Sequence, residues 1–368
     1  MADERIKWID AAKGLGIILV VFTHHRLPQL AVTYLWPFVT PIFFIVSGYL
    51  FGMKKPADFM KFLRKRTRTL LVPYAVFMLV LYTYFLTIGS RYGESGQMPL
   101  TTPIVGLFYS SADYLRGVFT PIWFLPCLFV VEIMFFWMFR LFRKWYGLAV
   151  LACSVLGFVG SVYLFNGDQS TIRHAVEFSV LGLHGTLWIP FRLPWGIDIA
   201  FIAVAFYGAG CAIRGLRSPG KSNLWWLLPI PILLAINIVA SFTNGPVTIR
   251  SNSYSNYFLY YISAFAGAFG YILIARLTQW FTPFIYLGKN SFAIFALHVM
   301  FIGVIKGFMR IVLKYPAQNL ETSLAWGIFF TIACLFLLVP AIYIINTYFP
   351  FILGRSKPRD LVVKAAAP

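Results

Sequence analysis

Three ionisable residues share one face of the first long apolar segment of the chain: Asp10, Lys13 and His24. In an α-helix, Lys13 and His24 are separated by three turns plus roughly 20° and by about 16 Å of rise. Asp10, one turn before Lys13, points the same way, whereas His25 is turned about a third of a revolution from Lys13. A membrane helix with ionisable groups on one face usually lines a polar space. We therefore predict that the functional site lies along this face.

The composition is that of a membrane protein. Of 368 residues, 60% are hydrophobic and only 12% are charged, against about 25% charged in soluble proteins. Apolar runs near the roughly 20 residues that cross a bilayer recur along the chain, so we predict an all-α, polytopic membrane fold of about ten transmembrane helices. The predicted spans cover residues 9–25, 31–52, 69–88, 119–139, 146–165, 196–213, 224–242, 257–275, 291–309 and 323–346.

The first span has one alternative interpretation, a signal peptide, because it combines a basic start with a short apolar core. No small-residue cleavage site follows it, since His24, His25 and Arg26 occupy that position. We therefore keep it as a transmembrane helix.

The distribution of basic residues predicts the orientation in the membrane. Most of the 31 lysines and arginines fall on the same side of the ten spans as the N-terminus, which by the positive-inside rule places both termini in the cytoplasm. The net charge of +19 then reflects topology and attraction to anionic membrane lipids and not binding of nucleic acid. We divide the chain into one membrane domain, residues 1–350, and a short basic tail, residues 351–368.

The four cysteines all lie inside predicted spans, and their spacing to one another and to histidines follows no metal-binding pattern. We therefore expect buried thiols and no metal. Nor does the sequence contain a phosphate-binding glycine-rich loop of the nucleotide-binding type. The cysteines are Cys127, Cys153, Cys211 and Cys334.

A dense basic run, residues 61–68, joins the second and third spans and holds five cations. One interpretation is a topological cluster close to anionic headgroups. The other is a site for a phosphorylated cofactor, in which guanidinium groups of Arg64, Arg66 and Arg68 contact phosphate oxygens. The sequence leaves both open.

Other polar residues interrupt the apolar background. Ser47 and Gly48 indicate either a notch where helices pack closely or a polar narrow point in a channel wall, and we include Ser47 among the cofactor-binding candidates. Glu132 lies in the middle of the fourth span, where a carboxylate is costly, and we expect it to pair with a cation. His298, inside the ninth span, is either a histidine hydrogen-bonded across helices or a functional residue.

These residues, taken in order, resemble the integral-membrane acyltransferase-3 family over about residues 5 to 345. Lys13 stands where that family usually carries an arginine, as in the branch resembling fucose 4-O-acetylases and Nod-factor acetylating enzymes. A lysine keeps the charge but lacks the bidentate fork of a guanidinium. The likeness is carried by Ile9-Asp10-x-x-Lys13-Gly14-x-Gly16…His24, Phe43-Phe44-x-x-Ser47-Gly48-Tyr49-Leu50, Arg66-x-Arg68-x-Leu70-Leu71-x-Pro73-Tyr74, Trp123-Phe124-Leu125 and Gly288-Lys289-Asn290-Ser291…His298.

The resemblance implies a multi-pass enzyme of the bacterial cytoplasmic membrane that acetylates a sugar hydroxyl, with acetyl-CoA as donor from the cytoplasm. In that interpretation His24 is either a general base for the hydroxyl or a transient carrier of the acyl group. Asp10 would hold Lys13 in position. Basic groups at the inner face would bind the phosphates of coenzyme A.

For the carbohydrate acceptor we predict the outer loop over residues 166–194. It offers polar groups and an aromatic ring, His174, Glu177 and Trp188, which suit sugar hydroxyls and C–H faces. A connector with an interfacial helix explains the same composition. Asp198, just beyond the loop, is expected to cap the following helix.

Two other functions fit the intramembrane charges. A proton-coupled transporter would also place histidine, lysine and carboxylates inside helices, although its usual paired halves are not evident in the order of spans. An acyltransferase-like domain could instead serve as a sensor or assembly partner without turnover. Incorporation of label from acetyl-CoA into glycan separates the enzyme from both.

Overall fold

The computed structural model describes residues 6–54, 58–90, 98–112, 114–163, 173–180, 183–190, 192–214, 227–315 and 323–354. Over these ranges the chain is almost entirely helical. The helices are α1 Lys7–Thr23, α2 Gln29–Lys54, α3 Phe59–Gly89, α4 Thr102–Tyr109, α5 Phe124–Phe142, α6 Tyr146–Tyr163, α7 Ile197–Ile213, α8 Pro229–Asn244, α9 Tyr257–Leu277, α10 Thr282–Lys289, α11 Ser291–Ile311 and α12 Leu324–Tyr348.

Shorter elements connect or interrupt these helices. The long helix α3 contains two π-helical turns, Thr67–Leu71 and Phe85–Gly89. The described residues also contain five 3₁₀ turns, and between α6 and α7 the backbone forms an antiparallel hairpin of strands β1 and β2. The 3₁₀ turns are Gly117–Trp123, Arg143–Trp145, Pro194–Gly196, Ile249–Ser251 and Pro350–Leu353, and the strands are Arg173–Val180 and Leu183–Pro190.

The protein is an all-α polytopic membrane protein, as the apolar runs predict. Seven stretches of the described chain are long and apolar enough to cross a membrane. One of them, Gly117–Val162, contains both α5 and α6, while α8 is a shorter apolar helix. Each of the ten predicted spans overlaps a helix. The number of membrane crossings and the cytoplasmic position of the termini stay predictions.

Within the predicted acceptor loop, the described residues 173–180 and 183–190 form the two strands of the hairpin. In the strand register, His174 pairs with Ile189, Ala175 with Trp188, and Glu177 with Thr186. The side chains of the predicted acceptor residues His174, Glu177 and Trp188 lie outside the described part of the structure. The predicted tail beyond Gly354 lies outside it as well.

Backbone contacts at glycines set the helix packing. Helix α2 packs against α1, α7 and α9. A β-carbon added at Gly48 of α2 would overlap the carbonyl oxygen of Tyr207 in α7, and one at Gly210 of α7 would overlap that of Ile45. The predicted packing notch at Gly48 is confirmed, since only a residue without a side chain permits this approach.

The same kind of contact joins α1 to α10. A β-carbon at Gly14 would overlap the carbonyl oxygen of Phe284, and one at Gly288 would overlap that of Asp10. Helix α1 is therefore held in direct backbone contact with α10 near its N-terminal end.

We expect Gly48→Ala to destabilise the protein, because the added methyl group has to push α2 and α7 apart. Overpacking of this kind costs about 1–3 kcal/mol, measurable as a lower unfolding temperature in detergent. Gly307→Ala in α11 is the matched control, since nothing lies within 4 Å of its added β-carbon. If Gly48→Ala and Gly307→Ala unfolded at the same temperature, the close contact between α2 and α7 would be contradicted.

Candidate functional site

A cavity of about 240 Å³ lies beside the C-terminal end of α1. Its walls come from α1, α2, the beginning of α5 with the preceding Gly117–Trp123 turn, the Thr248–Ser251 segment and α11. His24 is part of this wall, together with Val20 and Thr23. The structure therefore gives the predicted polar face of α1 a cavity at its histidine end.

The end of α1 fixes the tautomer of His24. The helix ends at Thr23, and His24 is its C-cap residue. Nδ1 of His24 lies 2.8 Å from the carbonyl oxygen of Val20. Because a carbonyl oxygen only accepts hydrogen bonds, we assign a proton to Nδ1, which leaves the lone pair of the neutral ring on Nε2. Within the described chain no group hydrogen-bonds to Nε2, so the basic nitrogen remains available.

A second histidine contacts the first. The rings of His24 and His298 meet edge to face, with centroids 4.5 Å apart and planes at 82°. Nδ1 of His298 lies 3.1 Å from the carbonyl oxygen of Ile294 and 2.9 Å from that of Phe295. The predicted hydrogen bond across helices is therefore wrong for Nδ1, which bonds within its own helix.

His298 is completely buried, and among the described residues its Nε2 has no hydrogen-bond partner. Buried polar atoms are rarely left unsatisfied in proteins without a functional reason or a bound solvent molecule. The sequence places His298 at the right depth but does not predict that it meets His24.

Asp10 and Lys13 lie farther down α1 and not among the residues that line the cavity. Asp10 is 4% exposed, next to the backbone of α10, and Lys13 is half-buried. The apolar Ile17 and Val20, both buried, separate them from His24 along the helix. The three-residue face is thus interrupted, and the pairing of Asp10 with Lys13 stays a prediction.

Glu132 has the cationic partner that its depth predicts. Its Oε2 lies 2.9 Å from Nε of Arg66, across the contact between α3 and α5. The carboxylate side chain is 2% exposed and that of Arg66 is 23% exposed. Arg66 also stacks on Phe62, with its guanidinium carbon 5.2 Å from the ring centroid. The predicted phosphate contact of Arg66 competes with this buried ion pair.

The remaining arginines of the basic run face outward. Arg64 and Arg68 are exposed and line a shallow depression of about 330 Å³ together with Thr67. The helix begins at a capping residue, Asp58, whose carboxylate accepts a hydrogen bond from the backbone N–H of Lys61 at 3.0 Å. This bond lowers the pKa of Asp58. Two guanidinium groups one turn apart on an open surface can contact phosphate oxygens.

The depression and the cavity lie toward opposite ends of α5. Phe124, at the start of α5, lines the cavity. Phe136 stacks on Phe62, which belongs to the basic run, with centroids 5.1 Å apart. Twelve residues of helix separate Phe124 from Phe136, so the cavity and the contact with the basic run are about 18 Å apart along the axis of α5. Ser47, half-buried on α2, lines neither of them.

Arg250 is a wall residue that the sequence reasoning missed. It lies in the 3₁₀ turn between α8 and α9, and its Nη2 donates hydrogen bonds to the carbonyl oxygens of Ala112 at 2.9 Å and Leu115 at 2.7 Å. Its only sequence signal is a lone arginine in a short predicted outer loop. The guanidinium group brings positive charge to the cavity opposite His24.

Asp198 does not cap its helix as predicted, since Gly196 is the N-cap of α7. Its Oδ2 instead lies 3.3 Å from Nη1 of Arg192 and 3.4 Å from Nδ2 of Asn252. This buried cluster joins the segment before α7 to the segment before α9 and braces the turn that carries Arg250.

A family model described as an acyltransferase domain matches residues 6–346. No curated protein gives a significant match, and no solved structure does so either. The matched range includes His24, His298, Arg250 and the basic depression, so all parts of the candidate site lie inside it.

We expect Arg66→Met to destabilise the protein strongly, because it leaves the buried carboxylate of Glu132 without its ion-pair partner. Breaking a buried pair on one side costs about 3–5 kcal/mol, which thermal unfolding in detergent would detect. The double variant Arg66→Met/Glu132→Met is expected to recover most of the loss.

Arg64→Met removes an exposed arginine of the same helix and is expected to change the unfolding temperature little. If Arg64→Met and Arg66→Met were equally destabilising, the ion pair would not be the cause.

Proposed function

The chain belongs to this acyltransferase family, and we propose that it transfers an acetyl group from acetyl-CoA to a hydroxyl group of a carbohydrate. The acceptor would be a sugar of a glycan or of a lipid-linked saccharide. The observation that carries the proposal is the arrangement of His24: an imidazole oriented by a hydrogen bond to the helix backbone, which lines a cavity and contacts the buried His298.

In the proposed reaction, Nε2 of His24 removes the proton of the sugar hydroxyl while the oxygen attacks the thioester carbonyl carbon. A C–O bond forms and the C–S bond breaks. The imidazolium then returns its proton to the departing thiolate, which leaves as the free thiol of coenzyme A. General base catalysis of this kind contributes about 10²- to 10⁴-fold to the rate.

The fixed Nδ1 proton supports this role. When Nε2 takes up a proton, the carbonyl oxygen of Val20 stays in hydrogen-bond contact with Nδ1–H and stabilises the imidazolium, much as a carboxylate does in hydrolase triads, although less strongly. The ring of His298 limits the orientations that His24 can adopt.

For the donor, we propose that the depression at Arg64 and Arg68 binds phosphate groups of coenzyme A. Both side chains are exposed and cationic, and Arg66, their neighbour, is engaged with Glu132. The thioester then has to reach about 18 Å along α5 to meet His24.

We expect His24→Ala to lower acetyl transfer at least a hundredfold, because the variant has no base for the hydroxyl proton. Transfer of label from acetyl-CoA to membrane glycan, normalised to folded protein, measures the effect. His25→Ala is the matched control, since His25 stacks on Phe330, with centroids 4.8 Å apart, and does not line the cavity. Loss of transfer in His25→Ala but not in His24→Ala would contradict the assignment.

We expect the double variant Arg64→Gln/Arg68→Gln to raise the KM for acetyl-CoA about tenfold or more, because charge-assisted hydrogen bonds to phosphate are lost. The kcat should change little. Lys61→Gln, a cation of the same helix outside the depression, is the control. An unchanged KM in the double variant would contradict the binding of coenzyme A at this depression, and the basic run would then serve only to set the orientation in the membrane.

A further inference from the structure

The cavity at His24 combines aromatic walls with hydroxyl groups. Trp36 and Trp123 are among its lining residues. Thr40, Thr120 and Ser251 also line it, and their hydroxyl groups have no hydrogen bond to any other described residue. Such groups, which the protein itself leaves unsatisfied beside a cavity, are suited to bind a polar ligand.

This mixture of groups favours one class of ligand. An apolar chain would cover the three hydroxyls without satisfying them, and burying unsatisfied polar groups is costly. A sugar ring offers both kinds of surface, hydroxyl groups around its rim and C–H bonds on its faces. Its hydroxyls can exchange hydrogen bonds with the wall while one face lies on an indole ring.

The size of the cavity limits the ligand to a single ring. Its volume of about 240 Å³ far exceeds the roughly 10–15 Å³ that one water molecule requires, yet falls just below the range of about 300–1,000 Å³ of drug-sized sites. Coenzyme A is too large for it, and the basic depression lies at the other end of α5.

We propose that this cavity binds one sugar ring of the acceptor, with Trp36 against a C–H face and the hydroxyls of Thr40, Thr120 and Ser251 at the rim. The ring is then held with a hydroxyl at His24. This inference rests on the proposed acetyl transfer to carbohydrate, and it assigns acceptor recognition to the bundle itself. Trp36 is 36% exposed, so this wall reaches the surface, where a longer glycan can continue.

Direct binding tests the proposal without turnover. The purified protein in lipid nanodiscs is mixed with methyl glycosides of glucose, galactose, mannose and fucose, and saturation-transfer NMR measures their contact with the protein. We expect at least one of them to bind saturably, with the strongest saturation on the C–H protons of one face.

Trp36→Ala should weaken that binding roughly two- to tenfold, because an aromatic contact contributes about 0.5–1.5 kcal/mol. Trp36→Phe should restore part of it. Thr40→Val, which keeps the shape but removes a hydroxyl, should weaken binding as well. Trp280→Ala is the matched control, since Trp280 is 76% exposed and lies outside the cavity.

The proposal is overturned if none of the four glycosides binds, or if Trp36→Ala and Thr40→Val bind as the unaltered protein does. Displacement by an equal concentration of cyclohexylmethanol, an apolar ring of similar size, would also overturn it. Binding at the cavity in a protein that fails to transfer label from acetyl-CoA would refute the proposed function while supporting the sugar site. Transfer of label from acetyl-CoA without binding of a glycoside at the cavity would refute the sugar site while supporting the proposed function.

Discussion

The direct backbone contact between α1 and α10 is the constraint on which the candidate site depends. Gly14 and Gly288 allow the two helices to touch without side chains between them. Only Asn290 separates the end of α10 from the start of α11. The position of α1 is thereby transmitted to α11 over a very short connection, and the His24 and His298 rings meet as a result.

Polar contacts at different depths hold the other walls of the bundle. The Arg66–Glu132 ion pair joins α3 to α5 in the interior, while the cluster around Asp198 braces the segments before α7 and α9. In an apolar environment each such group needs a partner, so these contacts restrict how the helices can slide past one another. The cavity lies where α5 begins, and the turn that carries Arg250 forms part of its wall.

Much of this architecture follows from local sequence, because a bilayer imposes a length on every apolar run. The helices, the notch at Gly48 and the need of Glu132 for a cation were predictable in that way. The split of the basic run was not predicted: Arg66 was grouped with Arg64 and Arg68, and its ion pair with Glu132 depends on how α3 packs against α5. The meeting of His24 with His298 and the role of Arg250 were not predictable, because they depend on how distant helices pack. The hairpin and the short helices α4 and α10 were not predicted either, because each is shorter than the apolar run that a bilayer requires.

The α1–α10 contact also has a consequence for how the protein is made. The two helices that touch at Gly14 and Gly288 are separated by roughly 270 residues of chain. At about 5–20 residues per second, ribosomes need about 15 to 55 s to synthesise that interval. During this time α1, which carries Asp10 and Lys13, lacks α10, the helix that it contacts in the complete fold. Its arrangement is therefore completed only when synthesis is nearly finished, and a nascent chain released early cannot assemble the histidine pair.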